Sequence, residues 1–419
     1  MAADPRHVIG AVLTFTMFAM LGNMIKKDHF DLVEARLPEP TLNEFEGIKV
    51  TEKAVVSLPM TSEGPWLKDS PHLKPCWTKP PLKESDQTKG FISFSLTNGP
   101  EYHASQIADA VVVARYLGAT LVLPDIRGSK PGEVRKFQDI YDIEKLLKSL
   151  DGVVKVRRDP PVEISSRKLA VVRVPNRVTE EHIFRKIEPI FMRKGNLRLA
   201  TYFPSINMRK PEEKTDYDLV TCVAMYGTLG LQPEMNEVVD LMVERLRTLS
   251  RKSGGQFIAV DLRLELLEKK GCRKSDSTGR KSCYNPHEIG LFLQKMGFNK
   301  DTAIYLTHSK WHSSLDALKN LFPKTYTKED IIPAEKKSKF FNSGSTELEK
   351  ALDFYVCSQS DVFVPAISGM FYANVAGKRI ASGKTQILVP DQTSSSASMT
   401  DFISPYVTKK DHFAYSCFC

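Results

Sequence analysis

Residues 91–124 read FISFSLTNGPEYHASQIADAVVVARYLGATLVLP. Phe91-Ile92-Ser93-Phe94-Ser95 is a short apolar run suited to a strand. Thr97-Asn98-Gly99-Pro100 is a turn, since Asn-Gly and Gly-Pro pairs interrupt regular structure. Ile107, Val111, Ala114 and Leu117 then recur every three to four residues, as one face of a helix does. Gly118 is placed to end that helix, and Thr120-Leu121-Val122-Leu123-Pro124 is a second strand. The result is a βαβ unit, which requires a parallel sheet.

The C-terminal half repeats the plan. Phe257 to Arg263, Ala303 to Leu306 and Val362 to Val364 read as strands. Helices are expected over 236–250, from Asn285-Pro286 onward, from Leu348 to Val356, and from Ser368-Gly369 through Phe371 and Val375. The economical architecture is α/β with two Rossmann-like domains facing a cleft, where ligands bind at the carboxyl ends of parallel strands. The expected domains are 89–235 and 236–419.

Ahead of them, Val8 to Ile25 carries no charge and spans roughly 27 Å as a helix. It is expected to be an N-terminal transmembrane signal anchor, with 1–7 as a cytosolic tail and 26–88, rich in Pro, Glu, Lys and Thr, as a stem. Charge sets the orientation poorly, because Arg6 competes with Lys26 and Lys27; cysteine usage favours a lumenal body. No N-x-Ser/Thr sequon occurs, which argues mildly the other way.

The chain of 419 residues carries a formal charge of +9, but its basic runs are scattered and lack interleaved aromatics, so nucleic acid is not an expected partner. None of the seven cysteines forms a CxxC pair, so no metal site is expected. Cys272 and Cys283 bracket a short polar loop that a disulfide could close.

Three stretches could carry chemistry. Continued as a strand, Asp261-Leu262-Arg263-Leu264-Glu265 would set Asp261, Arg263 and Glu265 on one face, costly to bury unless paired or solvated in a cleft. Arg263 offers a planar fork for a diphosphate; the competing reading is a surface ion-pair ladder. The strand 362–364 feeds Ser368, Gly369, Met370 and Phe371 at a helix start, where free N–H groups favour phosphate. Asn98-Gly99 is another candidate phosphate cradle or a plain turn. His308 and His312 lack a third metal ligand, and Asp216-Tyr217-Asp218, although a DxD, reads as a solvated loop.

Together TNGPEYHASQIADA (97–110), ATLVLPDIRGSKPG (119–132), FIAVDLRLE (257–265), SDVFVPAISGMFYANVAGKR (360–379) and DFISPYVTKKDHFAYSCFC (401–419) resemble the plant protein-O-fucosyltransferase-like family, most nearly its mannan synthesis-related branch. The resemblance implies a GT-B-like fold, inverting and metal-independent sugar transfer, and a single-pass type II Golgi protein. It further implies a role in mannan or glucomannan synthesis for the cell wall. Where the family reads His-Leu-Arg, this chain has Asp261-Leu262-Arg263; where relatives read Gly-Gly-Leu-Asn-Gln, it has Asn98-Gly99-Pro100-Glu101-Tyr102.

The expected site is catalytic Arg263, Asp261 and Glu265, with Asn98, Gly99, His308, Ser368, Gly369, Met370 and Phe371 around the sugar donor; of the departing stretches, Arg263, Glu265 and Gly99 match the family. No cofactor is expected beyond that donor, a GDP-sugar being favoured. The acceptor would be a polysaccharide or other glycan. The alternatives are a non-catalytic Golgi partner of a mannan synthase and a pectin rhamnosyltransferase.

Overall fold

The computed structural model describes residues 65–79, 88–128, 132–165, 169–270, 283–341, 346–390 and 398–419. The expected tail and anchor, most of the stem, and Cys272 lie outside the described residues. Among the described residues no helix is long and apolar enough to cross a membrane.

The opening unit forms as its pattern dictates. Strand β1 (Phe91–Leu96) leads through Asn98 and Gly99 into helix α1 (Pro100–Leu117), with Pro100 in its first turn. The helix stops at Gly118, whose φ of 64° is left-handed and lets its N–H bond back to the last turn. Strand β2 (Thr120–Val122) then pairs in parallel with β1, Phe91 opposite Thr120. Strand β3 (Asp125–Arg127) lies against the carboxyl end of β1, Ser95 opposite Asp125, and carries antiparallel β4 (Val134–Arg135). Strands β5 (Val156–Arg157), β6 (Ala170–Pro175) and β7 (Asn196–Tyr202) complete a sheet in which β7 sits between β1 and β6.

Helix α2 (Pro233–Leu249) leads to the second sheet. Here β8 (Phe257–Asp261) is followed by α3 (Leu264–Lys270) and α4 (Pro286–Lys295), then β9 (Ala303–Leu306), β10 (Thr325–Tyr326), α5 (Thr346–Gln359), β11 (Val362–Pro365) and α6 (Met370–Ala381). The strand order is β10-β9-β8-β11, all parallel. Helix α4 starts where Asn285 and Glu288 cap each other's backbone amides at 2.9 and 3.0 Å, with Pro286 in the first turn.

Both faces of this sheet are covered, so successive strand residues enter different cores. Phe257, Ala259 and Tyr305 join the core shared with α1 and α2, while Ile258, Val260 and Ile304 pack with Leu293 and Phe322 on the other side. Residues Thr61–Cys419 form one compact unit. Cys419 and Lys74 exchange backbone hydrogen bonds at 3.0 and 2.9 Å, and Cys76–Cys419 and Cys222–Cys417 disulfides fasten the same region.

Two expectations need correction. The strand expected through Arg263 ends at Asp261, because Leu264 already begins α3; Glu265 therefore sits in a helix turn and not on a strand face. Asp216-Tyr217-Asp218 is not a solvated loop but the start of a helix, Asp216–Cys222. Asp218 closes a capping box with Thr215 and pairs with Arg177 at 3.5 Å.

Candidate functional site

The register of β8 and β11 sets Asp261 beside Pro365, so the two strands end together. The segment carrying Arg263 and the turn leading to α6 are thereby neighbours. Asp261 is fully buried, and its carboxylate accepts hydrogen bonds from Arg263 Nε at 2.9 Å and Nη2 at 3.0 Å. Thr307, just past β9, donates its hydroxyl to the same carboxylate at 3.1 Å and accepts from the Leu262 amide at 3.0 Å. Phe371 supplies a ring 4.9 Å below the guanidinium. Burial works against the charge of Arg263, but Asp261 and Glu101 outweigh it and hold its pKa above the ordinary arginine value.

The guanidinium is thus fixed in position, but two of its nitrogens are already engaged. The expected fork, free to grip a diphosphate in bidentate fashion, is not present: among the described residues only Nη1 lacks a hydrogen bond. Asp261 is no free base, since its carboxylate already accepts three hydrogen bonds. Glu265 turns to His308, 3.4 Å from its Nδ1, and the hydrogen bond with His308 holds the carboxyl below its usual range. Glu265 and His308 so form a pair of their own beside the arginine.

The first lobe contributes the Asn98-Gly99 turn. Asn98 is exposed, with φ 70°, and Gly99 has φ 113°. Gln106 ties the turn down, accepting from the Thr97 amide at 3.0 Å and donating to the Thr97 hydroxyl at 2.8 Å. A Cβ on Gly99 would lie 2.6 Å from Glu101 Oε2 and 3.0 Å from Lys350 Cδ, so only glycine fits.

Glu101 was not foreseen as a site residue. It is 3% exposed, its Oε2 has no hydrogen-bond partner, and its carboxyl folds back on its own backbone N–H. Burial pushes its pKa up to about 7 against the pull of Arg263 and Lys350. The expected phosphate cradle at this turn therefore already holds a carboxyl group. The available signal was position: α1 is buried nearly all round, so an acid in its first turn is enclosed.

Among the described residues no side chain caps the start of α6, and a Cβ on Gly369 would meet none of them within 4 Å. Gly369 thus opens onto space, with the first-turn amides of Met370 and Phe371 behind it; both side chains are buried. Ser368 stands in the same turn, next to the Cys283–Ile367 bridge. Cys283 is disulfide-bonded, and its expected partner Cys272 lies outside the described residues. His312 caps a short helix through Ser314, and no group of three metal-ligating side chains occurs among the described residues.

Behind the arginine, Asp353 receives the Tyr305 hydroxyl at 2.7 Å and pairs with buried Lys328 at 2.7 Å. Burial raises Asp353 to about 6 although Lys328 opposes the shift. A cation clamped at the ends of two parallel strands, with a protonatable carboxyl facing it from the other lobe, is an arrangement for handling a negatively charged leaving group.

Residues 95–381 match the family described as GDP-fucose protein O-fucosyltransferase, a span that contains every site residue named above. The chain belongs to this family. Protein MANNAN SYNTHESIS-RELATED 1 of Arabidopsis thaliana is 56% identical over 422 residues, covering 100% of both chains. Protein MANNAN SYNTHESIS-RELATED of Trigonella foenum-graecum is 50% identical over 416 residues, covering 99% of this chain and 98% of that one. More distant is O-fucosyltransferase 29 of Arabidopsis thaliana, 29% identical over 77% of this chain and 63% of that one. Among solved structures, POFUT1 in complex with GDP is similar with a TM-score of 0.41 and 13% identity, over 70% of this chain and 96% of that one.

Proposed function

We propose that this family member is a glycosyltransferase of the Golgi lumen. It would move a sugar from a GDP-sugar to a glycan acceptor in mannan or glucomannan synthesis, within a GT-B-like cleft. The relatives' names support the pathway, and the family supports the donor class. The observation that carries the chemistry is a fixed Arg263 within electrostatic reach of the buried, near-neutral carboxyl of Glu101.

In this reading the acceptor hydroxyl attacks the anomeric carbon as the bond to the β-phosphate breaks, inverting that centre. Charge grows on the phosphate oxygen, and Arg263 Nη1 with the open amides at Gly369 to Phe371 receive it without rearrangement. Asp261 and Phe371 position the guanidinium. Glu101, titrating near neutrality, accepts the proton of the acceptor hydroxyl, a task suited to a pKa of about 7. The side chains supply the charge stabilisation and the base, so the proposed transfer runs without a metal. Two long-range disulfides support an oxidising compartment, and with it a type II anchor through residues 8–25.

The test is calorimetric titration of the purified body with GDP, GDP-mannose and GDP-fucose, followed by product analysis with mannan oligosaccharides. Donor-dependent product, lost in Glu101→Gln with donor binding kept, is the expected result. Absence of any nucleotide binding would overturn the reading. One observation favours a second reading, a non-catalytic partner of a mannan synthase: Asp261 occupies two nitrogens of Arg263. That reading predicts partner-dependent effects on mannan content from a chain that binds no donor.

A further inference from the structure

Away from Asp261, Arg263 and Glu101, none of which lines it, a cavity of about 300 Å³ opens between the lobes. That volume suits a small ligand. Its walls come from α1 through Pro100 and Ala104, from α5 through Phe354 and Tyr355, and from α6 through Asn374 and Lys378. Tyr226 and Phe418 close it.

Three polar groups line it with hydrogen-bonding capacity left over. Lys378 makes no ion pair among the described residues; its ammonium instead lies 4.5 Å over the Tyr355 ring. Asn374, one helical turn earlier on the same face, donates to Met370 O at 3.3 Å and accepts nothing among the described residues. The Tyr226 hydroxyl is buried with no hydrogen-bond partner among them. It lies where a Cβ on Gly377 would come within 2.8 Å of it, so glycine at 377 keeps room for the hydroxyl. Tyr226 also belongs to a π-helical segment, Val223–Gly227, a local widening common at functional sites.

The charge is one-sided. Burial and the nearby Lys145 lower Lys378 to about 8, and no carboxylate counters them. At neutral pH the ammonium still carries its proton most of the time, so a half-buried cation faces the cavity without an ion-pair partner among the described residues, an arrangement that an anion relieves. The aromatic walls offer flat apolar surface to a ring.

We propose that this cavity is a second ligand site, taking a pyranose-sized molecule that carries one oxyanion, a hexuronate or a sugar phosphate. The oxyanion pairs with Lys378, hydroxyls reach Tyr226 and Asn374, and the ring lies against Tyr355 and Phe418. The site is independent of the transferase reading.

The experiment titrates the full chain with glucuronate, mannose 1-phosphate and, as the neutral control, glucose, by calorimetry at pH 7. Saturable binding of at least one anion is expected, with glucose at least about tenfold weaker, as befits loss of a charge-assisted hydrogen bond. Preference between the two anions tells carboxylate from phosphate. Lys378→Met should weaken the anion about tenfold or more, and Tyr226→Phe a few-fold, with melting temperature and GDP titration unchanged from the parent. If neither anion binds saturably up to ~10 mM, or both variants keep full affinity, the site is refuted.

Discussion

Asp261 accepts two parallel hydrogen bonds from Arg263, at 2.9 and 3.0 Å, from within a fully buried position. A carboxylate so placed depends on its cation, and the cation owes its orientation to the carboxylate.

Substitution at Arg263 therefore affects stability as well as binding. Arg263→Ala strands the Asp261 charge in the interior, and the expected loss is about 3 kcal/mol, read by denaturant titration. Arg263→Lys keeps a cation within reach and should melt close to the parent. It loses the planar head, so donor turnover should fall about 100-fold, as for removal of a preorganised charge donor. Full turnover by a stable Arg263→Lys protein would exclude the catalytic role. Phe371→Leu, which removes the ring under the guanidinium, should weaken GDP binding a few-fold through loss of about 1 kcal/mol.

The raised pKa of Glu101 has a pH signature. Its carboxyl titrates at about 7 when folded and at 4.5 once exposed on unfolding. Between those values the native state holds the proton more tightly than the unfolded chain. The stabilisation is complete below pH 4.5, declines as pH rises through the window, and is gone above pH 7. Glu101→Gln cannot lose a proton, so at pH 8 it should exceed the parent in stability, by an amount on the order of 3 kcal/mol, while at pH 4 the two converge. Parallel stability curves across pH 4 to 8 would place the carboxyl in water instead. The same substitution should remove the rise of transfer rate with pH through about 7 and leave GDP affinity intact.

Asp353→Asn tests the support behind the arginine. It leaves Lys328, 2% exposed by its side chain, with Glu349 at 3.4 Å as its remaining acid. The expected destabilisation is about 3 kcal/mol, measured by urea unfolding. Lys328→Met combined with Asp353→Leu should recover most of it, since a buried pair replaced by apolar groups of similar volume is near neutral.

The disulfides make a direct chemical prediction. Non-reducing peptide mapping should recover Cys76 joined to Cys419 and Cys222 joined to Cys417, with Cys357 unmodified by alkylating reagent until the chain unfolds. Cys357 is buried, and burial pushes its thiol well above the usual range. The bonds join residues 343 and 195 positions apart, so opening either one should cost up to about 5 kcal/mol on a chain-entropy argument.

Local pattern was enough to place β1, α1 and β2, because apolar spacing and Gly118 act over a few residues. It also placed α4, whose Asn285-Pro286 start is written in adjacent positions. Pattern failed where contacts are distant. Alternation extends to Glu265, four residues past the true end of β8, since nothing local says that Leu262 turns to bond Thr307, 45 positions away. The sequence marks Asp261 and Arg263 as charges to be paired or solvated, and Asp261 as able to orient the arginine; the two parallel hydrogen bonds between them are what it does not show. Glu101 was passed over because its meaning depends on Arg263 and Lys350, from the other lobe. The pairing of Cys417 and Cys419 with two different partners has no trace in their spacing.

That last arrangement bears on how the molecule is made. Cys76 and Cys222 leave the ribosome long before Cys417 and Cys419, so during synthesis each waits as an open thiol with the other as the wrong partner at hand. The native bonds can close only after both sheets are complete and the segment around residue 417 has docked. In this protein oxidation seals a finished fold instead of guiding an unfinished one.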